Sequence, residues 1–332
     1  MKADISLEDS TASVILPFLK QYGYNSFSTL LLYHNICYYY LKTCEGLVGY
    51  FDGNKITVVI GDPICSVNNY SRALNEFIEY CVTHNKQVIF LLVGETLTHL
   101  LKQRGATVIR IGDDFIFDIG TYAPRGDRAK MIRLARNHAL RAGLIVHEYK
   151  PTIKRNEELE AQFLQVAKRW SEHRSLNSHF LGLNLFDYYE LKRYFYGTVH
   201  EELIAFMSCA PIFARNGYLF EDVVRDPNAP YGAIELMTLE ALAQFKEEGK
   251  LIATFGISPR LDPIDMDKLP FKGRAIIKSA VWCANTFMNL QGLHHFRKKF
   301  STERAESMYL VKYPEGFSIR DLVAILRSFN IV

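Results

Sequence analysis

The residues with the most chemical content lie between Arg225 and Leu242, where the turn RDPNAPYG opens without a spacer into an apolar helical pattern. Asp226-Pro227 and Pro230 force extended or turn geometry, and Gly232 allows a backbone to come close to a bound group. A helix starting near Ala233 turns its first N–H groups back on that turn, an arrangement that suits anions and carbonyl oxygens. An ordinary loop and helix start has the same composition. Glu235, in the first turn after Gly232, can orient or deprotonate an acceptor hydroxyl, or can simply stabilise the helix. Glu221, Asp222 and Asp226 at the preceding strand end compete for the role of base.

Two cationic patches accompany this turn. On a helix of 3.6 residues per turn, Lys130, Arg133, Arg136, Asn137 and Arg141 fall on one side, and Met131, Ile132, Ala135, Ala139 and Ala142 on the other. With Arg125 and Arg128 upstream and Asp127 as the only acid from 125 to 141, intrahelical salt bridges do not account for these cations. They can track RNA phosphates, lie against an anionic membrane, or form a solvated face. The second patch comprises His294, His295, Arg297, Lys298, Lys299 and Arg304, with Phe296 and Phe300 spaced as helix-face anchors that fix where the cations point. A surface helix packing by its phenylalanines would read the same way.

Several chemistries lack a signature. No pair among the 6 cysteines has C-x-x-C spacing, so they read as buried thiols of a reducing compartment. His147-Glu148 and His200-Glu201 lack a second histidine at zincin spacing, and His173 with His179 lacks a carboxylate partner, so no metal is expected. Ser66 and Ser258 are not in a G-x-S-x-G elbow. A formal charge of +3 does not describe a chain that coats nucleic acid, and DNA is not an expected partner. No basic start with an apolar run marks a signal peptide, and no run approaches the ~20 apolar residues that span a bilayer. A soluble, cytoplasmic protein is expected, meeting a membrane, if at all, from the inner surface.

These residues need elements to position them, and the chain presents one plan twice. Residues 46–51 and 55–60 flank Asp52-Gly53-Asn54 as a hairpin, followed by a helix over 71–83, a strand over 87–93, a short helix over 96–104 and a strand near 115–119. Residues 203–213 and 218–224 flank Asn216-Gly217 as a second hairpin, followed by a helix over 233–248 and a strand over 251–256. With 332 residues and 48% hydrophobic content, this duplication predicts two similar α/β domains around mixed, largely antiparallel sheets, divided near 120–127. Ligands of such a plan belong at the loop after each hairpin: Gly61-Asp62-Pro63 in the first half and Asp226 to Gly232 in the second. Neither loop carries the Q/R-x-x-G-x-G/A turn that holds the pyrophosphate in common acetyl-coenzyme A transferases of this topology.

GDP at 61–63, KMIRLARNHALRAGL at 130–144, RDPNAPYGAIELM at 225–237, FGISP at 255–259 and NLQGLHHFRKKF at 289–300 occur in an order and spacing that resemble one family. It is the C-terminal catalytic domain of phosphatidylglycerol lysyltransferases and its stand-alone relatives, and the likeness runs from about Tyr24 to Tyr313. The resemblance implies an α/β (α+β) fold of two tandem GNAT-like domains, here 1–120 and 121–332, the second carrying the transfer site. It implies transfer of an amino acid from aminoacyl-tRNA onto a lipid head group or another small hydroxyl or amine acceptor, with aminoacyl-tRNA as co-substrate and no cofactor. Arg297 and Lys299 match the cations at the family's transfer site, so Lys299 is expected to neutralise an ester oxyanion or the leaving ribose oxygen, with Glu235 as its acid–base partner. Gly61, Asp62, Asp222, Tyr231, Gly232, Ser258 and Arg297 are expected to line the substrate, and Lys130, Arg133, Arg136, Asn137, Arg141, Lys298 and Arg304 to meet tRNA. Residues 170–186 correspond to the family's variable substrate-facing stretch. The family usually has Asp at the position of Glu235 and a small polar residue at that of Tyr231, which implies a reshaped acceptor pocket. The multi-span membrane half of lysyltransferases has no counterpart in this sequence, so transfer across a bilayer is not expected. Two other readings stay open: a coenzyme A-dependent N-acyltransferase, and a non-catalytic domain pair that binds tRNA or an anionic membrane.

Overall fold

The structure is a computed structural model, and it describes residues 10–33, 36–127, 129–173, 185–264, 269–288, 290–300 and 302–328. Arg128, His179 and most of the 170–186 stretch lie outside the described residues. In chain order the elements begin with α1 (Ser10–Tyr22), β1 (Cys37–Tyr40), β2 (Gly46–Phe51), β3 (Ile56–Ile60), β4 (Ile64–Cys65), α2 (Tyr70–Thr83), β5 (Gln87–Val93), α3 (Glu95–Gln103) and β6 (Thr107–Asp118). They continue with α4 (Lys130–Arg141), β7 (Ile145–Tyr149), α5 (Glu157–His173), β8 (Arg193–Val199), β9 (Glu202–Ile212) and β10 (Gly217–Arg225). The last are α6 (Ala233–Glu247), β11 (Ile252–Ile264), α7 (Phe271–Met288), α8 (Leu290–Lys299), β12 (Arg304–Tyr313) and α9 (Ile319–Ser328).

The duplicated plan is present. The β2–β3 hairpin leads through α2 to β5, which pairs parallel with β3; the β9–β10 hairpin leads through α6 to β11, which pairs parallel with β10. The other strand pairings are antiparallel, which gives a mixed, mostly antiparallel sheet flanked by helices. Among the described residues the two halves share one 12-stranded sheet, ordered β1-β2-β3-β5-β12-β6-β11-β10-β9-β8-β7, with β4 on β2.

The sheet therefore does not part at residue 120. β12 comes from the end of the chain yet inserts between β5 and β6 of the first half, and α9 packs on β3. β6 in turn pairs with β11 of the second half. Side chains tie the join: Asp114 of β6 accepts a hydrogen bond from Thr254 Oγ1 of β11, and Arg215 reaches Glu306 of β12 at 2.8 Å. β6 and β11 run longer than their apolar stretches predict because each is paired along much of its length, and the ladder extends strand geometry through polar residues.

The second half's core explains where its site forms. β10 and β11 pair only from Gly217–Leu219 against Ile252–Thr254, while β10 shifts register between Phe220 and Val223. Beyond that point aromatic rings carry the packing: Phe255 contacts Phe220, Phe296 and Phe300 at centroid distances of 4.9, 5.4 and 5.2 Å. Phe296 of α8 and Phe300 immediately after it thus anchor the helix along β11, as their four-residue spacing predicts.

Candidate active site

α6 is buried around most of its first three turns, including Ala233, Ile234, Glu235, Leu236 and Met237. A carboxylate on such a helix must be paired, since an isolated buried charge costs far more than helix formation returns. Its partner comes from the last turn of α8: Lys299 Nζ lies 2.6 Å from Glu235 Oε1. Glu235 retains 7% and Lys299 22% of side-chain exposure, so the carboxylate side chain is buried and the lysine side chain partly exposed. The ring of Tyr231 lies 5.3 Å from the same Nζ, close enough for a cation–π contact, and Phe296 lies 5.7 Å away. Tyr231 is itself exposed. The structure thus brings Glu235, Lys299 and Tyr231 together.

The turn before α6 is fixed from within. Asp226 pairs with Arg169 and accepts the Asn228 N–H at 2.9 Å, while its own N–H donates to Ile204 O. Gly232 has φ +90°, a left-handed conformation, and a Cβ placed there would overlap the Ala135 carbonyl oxygen of α4. The close approach made possible by this glycine is therefore to α4, in place of the bound group that its sequence position predicts. His138 Nδ1 donates to the Tyr231 carbonyl at 3.0 Å and completes the α4 contact.

Other expected site residues have internal partners. Arg297 is half-buried and clasps the β11 bulge, donating to the carbonyls of Gly256, at 2.9 Å, and Ile257. Burial pulls its guanidinium down to about 10, opposed by the Asp114 carboxylate. Ser258 is 1% exposed and its Oγ lies 2.9 Å from His294 Nδ1, a contact that sequence spacing did not signal. Burial and the neighbouring cations Lys298, His295 and Arg260 lower the His294 pKa. Asp222 accepts a 2.5 Å hydrogen bond from Ser208 Oγ beside the Lys192–Glu221 ion pair, and burial, with Glu221 adding repulsion, raises its pKa. Gly61 has φ +71°, and Asp62 accepts from Gly94 N–H at the start of α3 and from Asn25 Nδ2, at 3.1 and 3.2 Å. Desolvation pushes Asp62 up to about 6.

The cations expected to meet tRNA divide. Arg304 is engaged by Glu306 at 2.6 Å and by Asp118 at 3.4 Å, and Arg133 donates to the carbonyls of Pro124 and Gly126. These side chains organise the protein's own loops and strands. Lys130, Asn137, Arg141 and Lys298 are exposed, and Arg136 is half-buried. Met131, expected on the packing side of α4, is exposed with Leu134 and Leu140, because only Ile132, Ala135 and Ala139 meet the core. Among the described residues, no group of three or more His, Cys, Asp or Glu side chains is arranged to hold a metal ion, and no helix is long and apolar enough to cross a membrane.

Comparison with known proteins supplies the family. The profile of the phosphatidylglycerol lysyltransferase C-terminal family matches residues 17–312. A phosphatidylglycerol lysyltransferase of Staphylococcus epidermidis is 20% identical over 304 residues, covering 91% of this chain and 35% of that protein. The chain thus spans about a third of that curated relative's length. Among solved structures, L-PGS from Bacillus licheniformis superposes with a TM-score of 0.76 at 19% identity, covering 99% of this chain and 98% of that one. The C-terminal domain of a putative lysylphosphatidylglycerol synthetase from Agrobacterium fabrum gives a TM-score of 0.73 at 12% identity, covering 95% of each chain. The aromatic packing of α8 on β11 and the pairing of Glu235 with Lys299 lie inside the matched span, and the chain belongs to the phosphatidylglycerol lysyltransferase C-terminal family.

Proposed function

We propose that this chain is an aminoacyltransferase that moves an amino acid from aminoacyl-tRNA onto a hydroxyl of a lipid head group of the phosphatidylglycerol kind. The observation that carries this reading is the Glu235–Lys299 pair beside exposed Tyr231, within a chain of this family. Transfer starts from an already activated ester donor, so positioning and charge stabilisation dominate over a strong base. The acceptor hydroxyl enters against Glu235, which takes its proton as the oxygen attacks the ester carbonyl. Lys299 donates to the carbonyl oxygen as negative charge develops there. The bond to the ribose oxygen of the tRNA then breaks, and that oxygen takes the proton, leaving Glu235 and Lys299 in their starting states. In this reading Lys298, which is exposed, meets the tRNA backbone.

The Ala135 carbonyl against Gly232 argues against a coenzyme A pyrophosphate threaded along this turn. The test is to incubate the protein with tRNA charged from a radiolabelled amino-acid pool and with a lipid extract. Label should enter the organic phase, ribonuclease should prevent it, and acetyl-coenzyme A should not compete. Label that stays on tRNA with every lipid supplied, or acyl transfer from acetyl-coenzyme A, would overturn the proposal.

A further inference from the structure

α4 presents an unusual outward face. Its packing stripe is narrow, Ile132, Ala135 and Ala139, and the 12-residue helix KMIRLARNHALR contains no acid. Positions 130, 134 and 141 fall within a narrow arc on the side opposite that stripe. Leu134 therefore stands between the exposed cations Lys130 and Arg141, with exposures of 51%, 51% and 44% for Met131, Leu134 and Leu140. Single exposed aliphatic side chains are commonplace, but three on one short helix whose charges are all positive have the composition of a helix that lies in a lipid interface. A polyanion such as RNA is matched by the cations alone and offers the leucines nothing along its phosphate backbone.

The face is continuous with the candidate site. His138 of α4 donates to the Tyr231 carbonyl and meets the Tyr231 ring edge-on at 5.8 Å, and that ring lies against Lys299. We infer that the outward face of α4 docks the chain on the surface of an anionic bilayer, with Leu134 entering the headgroup boundary, Met131 and Leu140 flanking it on the two sides of the helix, and Lys130 and Arg141 meeting lipid phosphates. Tyr231 and the Glu235–Lys299 pair then stand next to the headgroup layer. The inference deepens the proposed lipid aminoacyl transfer and rests on that reading for its purpose, but its test is separate.

The experiment is flotation of the full chain with vesicles of phosphatidylglycerol and phosphatidylcholine in equal parts, or of phosphatidylcholine alone. The variant is Leu134→Gln with Leu140→Gln, both exposed positions at which folding is insensitive to polarity. Wild type should float with the anionic vesicles, more weakly at high salt, and little with phosphatidylcholine. The double variant should bind the anionic vesicles about tenfold or more weakly. It should still transfer label to a monomeric short-chain phosphatidylglycerol at the wild-type rate. Equal flotation of the two proteins would overturn the inference, as would a variant whose loss is in tRNA binding or in self-association seen by sedimentation. A chain that floats as expected but aminoacylates no acceptor, with any charged tRNA, would sink the functional reading and leave the docking surface standing.

Discussion

The two post-hairpin loops share a sequence plan and have different fates. In the first half, Gly61-Asp62-Pro63 folds inward: Asp62 caps α3 through Gly94 and holds Asn25, and the cation at the end of α3, Arg104, clasps Asn75 and Ser71 of α2. The first turn of α2 has no acid for a cation to meet. In the second half the first turn of α6 carries Glu235, and the strand after it is followed by α7 and α8, which return a lysine to that carboxylate. Duplication thus preserved the frame, and the two helices between β11 and β12, the second anchored by aromatic rings, separate a candidate reaction centre from a structural cap.

The strongest way to break this comparison is at the cations. Lys299→Ala should reduce transfer from charged tRNA by about a hundredfold or more, the scale of losing one oxyanion donor, while Arg104→Ala in the first half should leave it within about twofold. Glu235→Gln should reduce transfer by about tenfold, and Glu235→Asp, which restores the family's usual residue, should fall within a few-fold of wild type. Single-turnover label transfer measures all four. Loss of Lys299 also removes the partner of Glu235, at a stability cost below the ~3–5 kcal/mol typical of a fully buried pair because the lysine side chain is partly exposed. If Arg104→Ala matched Lys299→Ala, the contrast between the halves would be wrong.

The glycines sharpen it next. Gly232→Ala must both adopt a left-handed backbone and displace α4, so a loss of roughly 3 kcal/mol or more is expected. Gly61→Ala meets only Asn25 atoms at 3.6 Å or beyond and should cost about 1–2 kcal/mol. Urea unfolding separates the two, and equal losses would mean that α4 does not press on the second turn.

The smallest effect is one of pH. Asp62, with its carboxyl pushed up to about 6 from an ordinary value near ~3.9, favours its neutral form in the folded state. Its contribution is therefore complete below about pH 4 and is lost as pH rises to about 6. Asp62→Asn should flatten the dependence of the urea midpoint across that window, and an unchanged slope would show that Asp62 is charged in the fold.

Hairpins, the helices at 70–83 and 233–247 and the strand at 87–93 were legible in the sequence because their periodicity and turn residues are local properties. The same holds for the two motifs that meet at Glu235 and Lys299, since a helix start and a pair of phenylalanines four apart announce their own geometry. The placement of β12 between β5 and β6 was not legible: its residues are consistent with a strand in either half, and only the unpaired ladders of two distant strands select its place. Nor could spacing tell that Arg304 is held by Glu306 and Asp118, that Arg297 serves the carbonyls of a bulge, or that Gly232 admits α4. Sequence determined which side chains exist and which local elements carry them. Tertiary structure decided which of those charges are neutralised inside the protein and which remain for a substrate, because pairing depends on partners far apart in the chain.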